Sequence, residues 1–174
     1  MALRKWMVGG IAALVAVSAL TVVSIGAAGS QGGQATPGIR VAVVTDVGGL
    51  NDKGFNALAA TGLKQAEAEL DIQSRVFISR SAADYIPNLS TAARGGYNLV
   101  IANGFLMGDS VAAVAKRFPK TNFAIIDFPW VALKGKPANV RGLVFREAEA
   151  GYLAGVAAAT VAKGGTVSSV GGQA

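Results

Sequence analysis

Between residues 39 and 170, apolar runs alternate with amphipathic stretches. Residues 39–45 are apolar nearly throughout, the pattern of a strand buried on both faces. Gly48 and Gly49 break it. Phe55, Leu58, Ala59, Gly62, Ala66 and Leu70 then recur at helical spacing, with Lys64, Glu67 and Glu69 mainly on the opposite side, so a helix follows. Residues 74–78 predict a second strand, and residues 84–94 a helix that tolerates Pro87 only in its first turn. A third strand over 98–102 leads to a helix over 109–117 that stops near Pro119. Residues 122–127 and 140–145 predict a fourth and a fifth strand, and residues 147–162 a long Ala-rich helix closed by Gly164 and Gly165. Residues 166–170 predict the start of a sixth strand. This alternation implies an α/β fold, a parallel sheet covered by helices on both faces. Ligands of such sheets collect outside the carboxyl ends of the strands. The candidate site therefore comes from residues 46–56, 79–84, 103–107 and 127–130.

The chain before residue 39 follows a different pattern. Arg4 and Lys5 are the last charges before Arg40. Residues 6–28 between them are rich in Ala, Val and Gly, have no polar face, and approach the ~20-residue length of a membrane span. A positive start, an apolar middle and the small residues Gly26, Ala27 and Ala28 describe a secretory signal ending before Gly29, with an uncleaved anchor as the alternative. Residues 29–38 shift to Gly, Ser, Gln, Thr and Pro, a flexible linker. The expected organisation is a signal or anchor over 1–28, the linker over 29–38, one α/β lobe over 39–165, and the start of a crossover over 166–174. The folded part is expected outside the cytoplasm, in the periplasm or on the outer face of the plasma membrane.

Composition narrows the chemistry. With 52% apolar and 15% charged residues in 174, the chain can build a packed core. It has no Cys and no His, which excludes a disulfide framework, Cys/His zinc sites, a Ser-His-Asp triad and a Cys nucleophile. The net charge of +6 is spread out: Lys116, Arg117 and Lys120 form one group and Lys134 and Lys136 another, neither interleaved with aromatics. They read as a solvated face, and no nucleic-acid partner is expected. No phosphate-binding loop of the Gly-x-x-x-x-Gly-Lys-Ser/Thr type occurs, and no Gly-x-Gly-x-x-Gly follows the first strand.

Residues 45–56 are the most informative stretch. Asp46 ends a buried strand, where a carboxylate needs a partner; a sugar hydroxyl suits it, and turn chemistry accounts for it equally. Asn51 or Asp52 can cap the following helix. Phe55 falls in its first turn, either as the first core residue or as a ring that stacks on a planar ligand. Asn103, Gly104 and Phe105 form a pocket wall or an ordinary turn, and Asp127 a ligand contact or a turn residue. Phe128, Pro129 and Trp130 are expected over the core rather than against a ligand. Asp46 and Asp52 loosely resemble the calcium-binding aspartates of nucleoside hydrolases. The spacing is one residue longer, however, and too few carboxylates lie nearby for the 6–8 oxygens calcium takes. Neither a metal nor a cofactor is expected.

Four landmarks in order resemble the basic membrane protein family of ABC-transporter substrate-binding proteins, which includes purine nucleoside receptors. They are residues 43–46 with 49–56, residues 83–89, residues 124–127, and residues 139–141 leading to 145–155. The resemblance runs from about residue 39 to the end. It implies a periplasmic-binding-protein-like lobe, a purine nucleoside ligand, an ABC permease as partner, and capture without covalent chemistry. In such proteins Phe55 would stack on the base. Asp46, Asn56 and Asp127 would be polar contacts, and Gly104 and Phe105 would line the cleft. Two features depart from the pattern. Family members usually carry a lipid-modified Cys, which this chain lacks. They also close two lobes over the ligand, whereas this chain is expected to supply the first lobe only. The alternatives are a nucleoside hydrolase-like enzyme and a membrane-anchored ligand-sensing domain.

Overall fold

The computed structural model describes residues 38–170. The expectations for residues 1–37 and 171–174 lie outside the described residues. The chain forms strand β1 (Arg40–Thr45), helix α1 (Phe55–Leu70), β2 (Gln73–Phe77), α2 (Tyr85–Arg94), β3 (Leu99–Asn103), α3 (Gly108–Arg117), β4 (Asn122–Ile126), β5 (Val140–Leu143) and α4 (Glu147–Ala162). Short 3₁₀ turns precede α2 and α3, and a third lies between β4 and β5. The five strands pair in the order β2-β1-β3-β4-β5, all parallel.

β1 is apolar from Val41 to Val44 because it lies inside the sheet, with Val41 to Thr45 all buried. The main core lies under α2 and α3. Leu89 and Ala92 from α2 and Val111, Val114 and Ala115 from α3 are buried with Val44, Val100, Ala102, Phe123 and Ile125 of the sheet. Each large side chain fully buried there contributes roughly 1.5–3 kcal/mol. Phe128 and Trp130 pack against this core, as the sequence predicts, and Trp130 Nε1 donates to the Pro137 carbonyl at 3.0 Å.

The opposite face is only partly covered. α1 supplies Leu63 against Val41 and Val43. Its buried positions are Asn56, Ala60 and Leu63, shifted round the helix from the stripe read in the sequence, so Leu58 and Leu70 are exposed. Beyond α1, an apolar groove over β3, β4 and β5 is lined by Leu99, Ile101, Ala124 and Leu143. α4 does not cover it: the helix has no buried residue, and Tyr152, Leu153 and Val161 are exposed. The predicted sixth strand does not form. Residues 166–170 have no regular structure, and Val170 is 98% exposed. A strand needs a neighbour for its ladder of hydrogen bonds, and this segment pairs with neither edge strand, β2 or β5.

Candidate functional site

The parallel register aligns the strand ends. Thr45 pairs with Asn103, Asn103 with Ile126, and Ile126 with Leu143. The residues that follow in β1, β3 and β4 are Asp46, Gly104 and Asp127. These three leave one row of paired strand ends along the carboxyl edge, where neighbouring strands lie about 5 Å apart. Residues far apart in the chain thus meet on one rim.

Asp46 is held on one side and open on the other. Its Oδ1 accepts hydrogen bonds from Asn56 Nδ2 at 2.6 Å and from the Gly48 amide at 2.9 Å. Asn56 Oδ1 in turn accepts from the Asp46 amide at 3.2 Å and from Asn103 Nδ2 at 2.8 Å. Asn56 is 1% exposed, so its amide forms a bracket beneath Asp46 and between the ends of β1 and β3. The resemblance makes Asn56 a ligand contact; here it is sealed from the rim and reaches outward only through Asp46. No donor among the described residues bonds Asp46 Oδ2. The Gly104 backbone lies against that oxygen: a Cβ at residue 104 would stand 3.1 Å from it. Gly104 also has φ +125°, a conformation closed to side chains, so glycine is required there twice over.

Asp52 serves the helix instead. Its carboxylate accepts from the amides of Asn56 at 2.7 Å, Gly54 at 3.0 Å and Ala57 at 3.0 Å, which supplies acceptors to the first turn of α1. These bonds, that of Asn56 foremost, hold its pKa below the ordinary aspartate value. Asp46 and Asp52 therefore have separate duties and do not form the paired cluster of a nucleoside hydrolase. Asp84 works like Asp52: it accepts from the amides of Arg80 at 2.8 Å and Ser81 at 3.0 Å, which lower its pKa.

Asp127 is half-buried at the end of β4, with φ 65° in the left-handed region that aspartate tolerates better than most residues. Its amide donates to the Leu143 carbonyl at 2.7 Å. No side-chain hydrogen bond engages its carboxylate among the described residues.

Phe55 is not a core residue. It is 38% exposed, and the ring of Phe145 meets it edge to face, centroids 6.3 Å apart and planes at 70°. Phe105 is exposed in the turn after Gly104, while Met107 of the same turn is fully buried and fixes it to the core. Sequence reasoning missed Phe145, which lies ninety positions from Phe55 (145 against 55) in a segment read as strand. It also missed Asn103 as the partner of Asn56, for which the strand-end position was the only signal.

The model for the family described as ABC transporter substrate-binding protein PnrA-like matches residues 39–174. The chain belongs to this family. This PnrA-like chain is 34% identical over 172 residues to the ABC transporter nucleoside-binding protein BmpA of Lactococcus lactis, covering 92% of the chain and 48% of that relative. It is 35% identical over 167 residues to an uncharacterized lipoprotein of Pyrococcus furiosus, covering 91% of the chain and 41% of the relative. Its fold matches an ABC-transporter solute-binding protein from Aeropyrum pernix with a TM-score of 0.65 and 36% identity, over 72% of this chain and 33% of that one. The PnrA-like chain thus spans about half or less of the length of these relatives. Its α/β architecture is that of one lobe of a solute-binding protein. Among the described residues no helix is long and apolar enough to cross a membrane.

Proposed function

We propose that the carboxyl rim of this lobe captures a purine nucleoside, as the extracytoplasmic substrate-binding component of an ABC importer. The observation that carries the reading is the set of strand ends leading to Asp46, Gly104 and Asp127, with an exposed aromatic, Phe55, next in the chain to the Asn56 that bonds Asp46. A nucleoside pairs a flat apolar base with a hydroxyl-rich sugar, and this rim offers a ring and two carboxylates that accept hydrogen bonds. Phe55 stacks on the base, worth ~1–3 kcal/mol. Asp46 Oδ2 and the Asp127 carboxylate accept from ligand hydroxyl or N–H groups. Gly104 admits the ligand close to the backbone, Phe105 lines the edge, and Asn56 acts by fixing Asp46. The name of the Lactococcus lactis relative supports the ligand class. Residues 1–28 act as the export signal or membrane anchor, and a membrane permease receives the solute. One rim covers one side of a ligand, so this lobe alone binds weakly.

Saturation-transfer NMR with inosine, guanosine, adenosine and ribose tests the reading. Nucleosides give transfer, and Phe55→Ala weakens their binding about tenfold or more while thermal unfolding stays as before. Transfer to ribose alone overturns the ligand class. Release of free ribose from inosine makes the protein a hydrolase instead. Unchanged affinity in Phe55→Ala removes Phe55 from the site.

A further inference from the structure

Tyr85 opens α2, on the side of the sheet where the strands end. It is 2% exposed, and its hydroxyl has no hydrogen-bond partner. Leaving a buried hydroxyl unpaired is costly, and native folds rarely do so without a reason. Two groups of the rim lie close by. The Val47 amide can serve the phenol oxygen but cannot accept its proton. The Asp46 carboxylate can accept it, yet in this structure Oδ1 is engaged by Asn56 and Gly48, and the phenol bonds neither oxygen. The titration of the phenol registers the same surroundings: burial raises its pKa most, the Asp46 charge adds to the rise, and the Val47 amide offsets part of it. The loop above is tied to Asp46 at Gly48 and open at Gly49. Gly48 and Gly49 follow Val47, and Gly49 sits at φ +64° with nothing within 4 Å of where a Cβ would be.

We propose that Tyr85 is a positioning residue for ligand capture: its hydroxyl, unpaired in the ligand-free lobe, gains an acceptor at the rim when a nucleoside is bound. The hydroxyl then favours the ligand-bound state because only there is it satisfied. This rests on the nucleoside reading above. Ser90 provides an internal control. It lies five residues along the same helix, is 3% exposed, and also has an unpartnered hydroxyl. At 1.5 Å of rise per residue it sits about 7.5 Å further from the rim.

The test compares Tyr85→Phe and Ser90→Ala in the full chain, by thermal unfolding without ligand and by NMR titration with inosine. Tyr85→Phe raises the ligand-free Tm by about 2 °C or more, because an unpaired buried hydroxyl is removed. It also weakens inosine binding about fivefold. Ser90→Ala does not lower the Tm and leaves binding unchanged. A merely structural tyrosine would not move stability and affinity in opposite directions. A Tm unchanged or lowered in Tyr85→Phe means the hydroxyl is already satisfied without ligand and overturns the inference, as does unchanged inosine affinity. If the unmutated chain binds no nucleoside, the functional reading fails and takes this inference with it. If the unmutated chain binds and Tyr85→Phe binds equally well, only this inference fails.

Discussion

Asp46 and Asp127 stand on the same rim, two strands apart, and are held in opposite ways. Asp46 is locked from below: Asp52 fixes the Asn56 backbone, and Asn56 bridges Asp46 and Asn103. Asp127 has an amide bond to Leu143, a left-handed backbone and a carboxylate with no side-chain partner among the described residues. The difference separates two jobs that acidic residues at strand ends perform. One end is preorganised and, in the reading proposed here, offers a single oxygen to a ligand. The other has no side-chain partner for its carboxylate among the described residues and bears backbone strain of order 1–3 kcal/mol.

The strongest way to break the comparison is Asn56→Ala. It leaves the Asp46 amide and Asn103 Nδ2 without their partner in a buried place and takes from Asp46 Oδ1 one of its two donors. Urea unfolding of the full chain is expected to lose about 2–4 kcal/mol of stability. A loss under about 1 kcal/mol would mean the bracket does not hold Asp46. Asp127→Asn comes next and sharpens the contrast, since asparagine keeps the left-handed backbone. Stability changes by less than about 0.5 kcal/mol, while inosine affinity in an NMR titration falls about fivefold to tenfold. The reverse outcome, lost stability with intact affinity, would make Asp127 a structural residue. The smallest effect is on pH dependence. The pKa of Asp52 is lowered by folding, so its contribution is present above the unfolded-state value and lost as pH falls through the folded-state value. Asp52→Asn therefore lowers the Tm near pH 7 and flattens its decline toward about pH 3. A decline as steep as that of the unmutated chain would show that the α1 start does not depend on this carboxylate.

Much of this arrangement is legible in the sequence. The apolar runs and their glycine breaks place all five strands and the four long helices to within a few residues. Parallel pairing then brings Asp46, Gly104 and Asp127 to one edge whatever the side-chain details. Residues whose duty depends on a distant partner are not legible. Asn56 and Phe55 are neighbours in the first turn of α1, and helical geometry sends one beneath the rim and the other outward. Spacing alone favours neither assignment. Phe145 meets Phe55 only because β5 carries the chain back to the edge. The behaviour of α4 is equally hidden. The helix is apolar all round, so no stripe in its sequence names the side that packs. The sixth strand is hidden for a related reason: residues 166–170 have strand composition, but composition does not say whether a segment reaches an open sheet edge.

The central claim is that one rim, marked by Phe55, Asp46, Gly104 and Asp127, holds the ligand. Backbone amide shifts of the ¹⁵N-labelled chain during an inosine titration test it most directly. The account predicts that the amides of residues 46, 48, 55, 104 and 127 shift together with one dissociation constant. Shifts confined to the groove beside Asp109, Lys116 and Lys134, or no shifts at saturating inosine, would contradict it.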